Sequence, residues 1–316
     1  MNMDGNKGRK IAEVILTVGI STIVMLLGIY YMQWIIFFFP APFIILGVKY
    51  GLNYNIISMI VSALSIGMMT DNVSGMIILL AFSPLSIALN YLIANRKKTL
   101  QTMVVSTLVS LVSFILVLSL MKDASGVSII HQLDEFFSQV INTQIEALKD
   151  MQMSQYEILQ IEDFLESAFE YVLLIIPSLI IIFSLVTAYI NYFISSIVLR
   201  RLGYGIVSIP RFSRFSLPNN VLLGTGIMFL GAFLLRWLKL FYYETVLLNI
   251  IALASFMFFV QGLSVIDYRL IKRDKGIIFR ILILLFFILV LPAGGIITFV
   301  GILDIILDFR KFKKKA

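Results

Sequence analysis

Residues 75–98 read GMIILLAFSPLSIALNYLIANRKK: an uncharged run, then three bases in four positions. At 1.5 Å per residue the 20-residue helix over 75–94 is about 30 Å long, the thickness of a bilayer's hydrocarbon core. The bases at its end mark a connector that stays in water. The same unit recurs in both directions along the chain. Apolar runs occupy residues 11–31, 56–69, 100–121, 171–199, 220–235 and 245–266. A shorter one, 35–48, is interrupted by Pro40 and Pro42, and 281–307 is broken at LPAGG, 291–295. The chain is therefore expected to be an all-α polytopic membrane protein. It should have about eight long transmembrane helices plus a C-terminal broken helix or helical hairpin. The first run has no small-residue cleavage pattern behind it and is expected to be retained.

Composition agrees. Hydrophobic residues make up 60% and charged ones 14%, with a mean hydropathy of +0.99; a soluble domain averages roughly 45–50% apolar. No strand-like alternation supports a barrel. There is no cysteine, and His131 is the only histidine. That argues against disulfides, thiolate chemistry and zinc, and neither a metal nor a cofactor is expected. No Walker loop, dinucleotide glycine motif or HExxH is present. Arg200, Arg201, Arg211 and Arg214 could handle phosphate, but without a nearby His, Cys or carboxylate pair an enzyme is not expected. The net charge of +7 comes from bases at helix ends, which reads as cytoplasmic anchoring rather than nucleic-acid binding.

Charge sets a sidedness. With the N-terminus cytoplasmic, Lys49, residues 96–98, Arg200, Arg201, Arg211, Arg214, Arg269, Lys272, Arg273 and Lys275 all fall inside, as the positive-inside rule requires. Asp71 falls outside with residues 134–170, where nine acids face a single base, Lys149. The apolar positions of that stretch recur at helical spacing, so it reads as amphipathic helix too polar to cross. It could cap the outer mouth, bind cations, dock an envelope partner or rest on the bilayer. The turn holding Arg236 and Lys239 resists the pattern. The expected layout is a six-helix domain over 1–202 with an external insertion at 122–170, a cytoplasmic loop at 203–218, and C-terminal membrane helices with a basic tail over 219–316.

Gly47 and Gly51, with Ser58 and Ser62, and Ser106 with Ser110, give small-xxx-small spacings that bring membrane helices together, within the chain or in a homodimer. Segments broken by proline free backbone groups and often mark substrate sites. Pro40, Pro42, Asp71, Asn72 and Asn90 are accordingly the candidate substrate-binding residues. Asn90 and Asn191 are polar groups within spans that serve either a ligand or helix packing. Asp304 follows a long apolar stretch and is expected to pair with a basic tail residue or a backbone group.

The run Phe39-Pro-Ala-Pro-Phe43, then Leu46-Gly-Val-Lys-Tyr-Gly51, Leu89-Asn-Tyr-Leu-Ile-Ala-Asn-Arg-Lys-Lys98 and Val300-Gly-Ile-Leu-Asp304 with Asp308-Phe-Arg-Lys311, resembles the YybS-like family of bacterial membrane proteins. Over its first six spans that family is similar to the S components of energy-coupling-factor transporters. The resemblance implies a six-helix bundle with a pocket opening outward and a transport-related role, binding a small solute. The alternative is a membrane scaffold or regulator that docks a protein partner. Lipid is the partner every reading shares.

Overall fold

The computed structural model describes residues 3–125, 129–151, 153–206, 211–218, 220–239 and 242–310. The basic tail from Lys311 onward and residues 207–210 of the expected loop lie outside them. All regular structure among the described residues is helical: α1 Met3–Tyr30, α2 Pro40–Tyr50, α3 Leu52–Met69, α4 Asn72–Ala94, α5 Thr99–Ser125, α6 Ile129–Asp150, α7 Gln155–Leu174, α8 Ile176–Arg201, α9 Val221–Trp237, α10 Tyr243–Lys272, α11 Ile277–Leu289 and α12 Leu291–Leu307.

Among the described residues seven helices are long and apolar enough to span a bilayer, or eight if the pair α11–α12, bent by 112°, counts as one broken span. The count expected from the sequence shifts at two places. The run at 220–235 becomes α9, whose 17 residues reach only about 26 Å. The run at 171–199 is not continuous: α7 stops at Leu174 and α8 starts at Ile176. Pro177 explains the break, because its ring collides with the carbonyl four residues earlier and supplies no N–H.

The helices group into two compact units, Met1–Glu162 with Ile180–Ile209, and Asp163–Leu179 with Pro210–Ala316. This partition differs from the expected 1–202 and 219–316, because residues 163–179 pack with the C-terminal helices.

In the first unit, α1 to α5 pack as neighbours, and the inner part of α8 lies on α2 and α4 through Ala188, Tyr192 and Leu199 against Ile44, Leu85 and Leu89. A Cβ on Gly75 would stand 2.8 Å from the Ala63 carbonyl oxygen, so α3 and α4 touch through backbone. The basic connectors meet at one end. Lys49 pairs with Glu13 of α1, the Asn90 amide reaches the Ile44 carbonyl, and Gly205 lies against the Arg96 guanidinium. The turn holding Asp71 caps the opposite ends of α3 and α4. On α6, Ile141 and Ile145 are buried, while Asp134, Glu135, Glu146 and Asp150 are exposed. That apolar stripe is covered by protein rather than left for the bilayer.

In the second unit α10 packs on α9, α11 and α12. A Cβ on Gly301 would sit 1.9 Å from the Phe258 carbonyl oxygen, and one on Gly262 2.0 Å from that of Ile297, so α10 and α12 approach backbone to backbone. The bent pair returns to the level it left. Arg280 of α11 forks onto Asp267 of α10, and Arg310, just past α12, bonds Ser264 of α10. Those two α10 positions are one turn apart, about 5 Å along the axis.

Candidate functional site

The structure does not gather the candidate substrate-binding residues. Asp71 is the N-cap of α4: its carboxylate accepts from the Ser74 N–H at 2.8 Å and from the Ser74 hydroxyl. These two bonds hold its carboxyl below the usual carboxylate range. Asn72 is exposed beside it. Asn90 lies near the other end of α4, about 28 Å away along the helix. Its amide is committed to the Ile44 carbonyl, 3.3 Å. It also fills the space above Gly47, whose Cβ would stand 2.0 Å from Asn90 Nδ2. Gly47 thus allows close helix approach. Gly51, expected to pack beside it, instead turns the chain between α2 and α3 with φ +113° and open space where a Cβ would point. Ser58 bonds its own helix backbone, and Ser62 meets Thr22 of α1 at 2.9 Å.

Pro40 and Pro42 stand in the first turn of α2, and residues 33–50 still count as one span. The missing N–H donors wind residues 33–38 as a 3-10 turn before α2. Helix α8 adds side-chain donors at this junction: Asn191 Nδ2 donates to the Phe37 carbonyl at 2.8 Å and Ser195 Oγ to that of Ala41 at 3.4 Å. The rings of Phe37 and Phe183 stack at 5.8 Å. Around this junction Ser184, Thr187, Asn191, Ser195 and Ser196 are all fully buried. Most donate to backbone, yet among the described residues Asn191 Oδ1 and Ser196 Oγ have no partner, and on α5 neither do Thr102 Oγ1 and Ser110 Oγ. Buried acceptors without partners are uncommon.

The second unit contains two polar constructions that local periodicity does not reveal. At the α7–α8 break, Ser178 N–H would donate to the Leu174 carbonyl in a continuous helix. Asn249 of α10 takes both places: its Oδ1 accepts from Ser178 N at 2.8 Å and its Nδ2 donates to Leu174 O at 2.8 Å. A side-chain amide has entered the helix ladder. The signal was Asn249 alone in an apolar span together with Pro177.

The other construction is a buried ion pair, Asp304 and Arg310, each 4% exposed. Arg310 donates through Nη2 and Nε to Asp304 Oδ2 at 2.8 and 3.1 Å. Its Nη1 reaches the carbonyls of Ser213 and Phe215 and the Ser264 hydroxyl. Gln261 joins Asp304 to the Leu217 N–H. The connector over 211–217 is thereby fastened to α10 and to the end of α12. Asp304 meets the expected basic residue, six positions on.

On the surface of this unit, Leu174, Arg236, Lys239, Tyr242, Tyr243, Glu244 and Thr245 line an open depression of about 450 Å3. Among the described residues no three His, Cys, Asp or Glu side chains come together as a metal site.

Apolar helices of bilayer length, closed by glycine contacts and by buried polar bonds, define a polytopic all-helical membrane protein. The chain belongs to the predicted membrane protein family DUF2232, whose profile matches residues 15–305. Neither the curated proteins nor the solved structures gave a match.

Proposed function

We propose that this is a transport-related protein of a bacterial plasma membrane, N-terminus cytoplasmic and residues 122–170 external, which binds a small solute from the outer face within its first unit. The observation that carries the proposal is Asn191 Oδ1, a fully buried acceptor with no partner among the described residues, beside the span in which a 3-10 turn gives way to α2 at Pro40 and Pro42. The segment of α8 around it has no ionisable carboxylate or base between residues 176 and 199. The matching solute is therefore small, polar and uncharged, with a donor for Asn191. The resemblance of the first six spans to S components points the same way. The reading contains no catalytic step and no cofactor.

The test is thermal unfolding of the purified chain across a broad panel of neutral metabolites. A solute that raises the transition in the unmutated protein and not in Asn191→Leu supports the proposal. No shift with any solute overturns it. A second reading, a scaffold or regulator holding a protein partner, is favoured by the exposed acids of α6 and α7. Crosslinking in cells that captures one specific partner, without solute uptake, selects it.

A further inference from the structure

The turn between α9 and α10 carries two bases, Arg236 and Lys239, and neither forms an ion pair with another described residue. Both line the 450 Å3 depression, a volume inside the range of about 300–1,000 Å3 typical of small-ligand sites. The one carboxylate in the lining, Glu244, is engaged by the Tyr243 hydroxyl at 3.0 Å. The Arg236 guanidinium lies 5.7 Å from the Tyr243 ring, which holds it over the site.

Backbone conformation adds to this. Lys239 and Tyr242 both have positive φ, 52° and 70°, a conformation that is unfavourable for a residue with a Cβ. Such strain gathers at ligand clamps. Tyr242 precedes α10 without a side-chain cap, so the first N–H groups of that helix add positive potential at the same place. Two lining residues, Leu174 and Thr245, are tied together through α10. The Asn249 amide donates to Leu174 O on one side and Thr245 O on the other, at 2.8 and 2.6 Å.

We infer that this depression binds an anionic phosphate-type group between Arg236 and Lys239, beside the Tyr243 ring. Two sources share that chemistry. Trp237 and Tyr242 are exposed at the ends of their helices, as interfacial aromatics are, which suits a phospholipid headgroup. The depression is equally open to a free oxyanion.

The experiment uses the full chain in nanodiscs, with Trp34→Phe so that Trp237 is the only indole reporter. In phosphatidylcholine discs, inorganic phosphate is titrated. In parallel, discs containing phosphatidylglycerol are compared with phosphatidylcholine alone, and retained lipid is read by native mass spectrometry. Binding confined to phosphatidylglycerol assigns a headgroup site, and a phosphate-dependent shift of Trp237 emission assigns a free-anion site. In either arm Arg236→Gln with Lys239→Gln is expected to weaken binding at least tenfold, while Lys98→Gln leaves it unchanged. On the unmutated protein, where folding is not in question, raising salt from 50 to 500 mM is expected to weaken it as well, through screening of exposed charges. Equal binding by the double variant, salt-independent binding, or no binding of either probe overturns the inference.

Discussion

Removing one partner of the Asp304–Arg310 pair is expected to cost far more than removing both. Arg310 is nearly inaccessible and makes bonds to Asp304, Ser213, Phe215 and Ser264. Asp304→Leu leaves a buried guanidinium without its counter-charge, and breaking such a pair costs about 3–5 kcal/mol. Arg310→Met strands the carboxylate at a similar cost. In the double variant no charge is buried. The Ser264 hydroxyl stays within reach of the Phe212 and Phe215 carbonyls, so the Ser213 carbonyl and the Gln261 Nε2 donor each lose a bond, about 1–3 kcal/mol apiece, and each of those losses is already present in one of the single variants. The double variant should thus be more stable than either single one, with a coupling of at least about 2 kcal/mol. Equilibrium unfolding in detergent micelles measures it, and hydrogen exchange over residues 212–217 reports whether the connector loosens. Single-variant costs that add within about 0.5 kcal/mol would refute the reasoning, since that is the behaviour of independent sites.

Gly301→Ala and Gly262→Ala drive a methyl into a backbone carbonyl and should lower stability by about 1–3 kcal/mol. Gly226→Ala, with nothing within 4 Å, should be neutral or gain up to about 1 kcal/mol from helix propensity; equal melting shifts in all three would contradict the close crossing. Asn249→Leu strands Ser178 N–H and Leu174 O, at about 1–3 kcal/mol each. Adding Pro177→Ala should recover part of this by letting the helix close its own bond, and a double variant no more stable than Asn249→Leu would speak against the inserted amide. Ser154 and Glu157 form a capping box at the start of α7. The Ser154 hydroxyl and N–H lower the Glu157 pKa, so the box is intact above the ordinary carboxylate range and is lost as pH falls through that lowered value. Hydrogen exchange at 154–158 should quicken, beyond the intrinsic pH effect, between pH 6 and pH 3, and Glu157→Gln should abolish that difference.

The spans were legible because an apolar run of bilayer length has few alternatives, and α3, α4, α5 and α10 begin and end near the expected residues. Missed boundaries trace to single residues. Pro177 divides α7 from α8 inside a run whose hydropathy never falls. The grouping of 163–179 with the C-terminal helices depends on Asn249, more than 70 positions away from Leu174 and Ser178, and local periodicity contains no such contact. At the candidate site the proline junction was readable, but not the donors that α8 brings to it. Asn191 and Asn90 look alike in sequence, yet Asn90 is used up against Ile44 and Gly47 while Asn191 keeps one oxygen unpartnered among the described residues. The Gly47–Gly51 spacing suggested one packing surface, whereas φ at Gly51 assigns that residue to a turn.

The fastening of residues 213 and 215 by Arg310 also bears on how the chain is made. Ribosomes add about 5–20 residues per second, so the connector emerges roughly 5–20 seconds before the guanidinium that binds its carbonyls. During that interval the Ser213 carbonyl must hold water or a transient protein contact at the membrane surface. A nascent chain arrested before Arg310 would keep its greasy helices and lack the clasp.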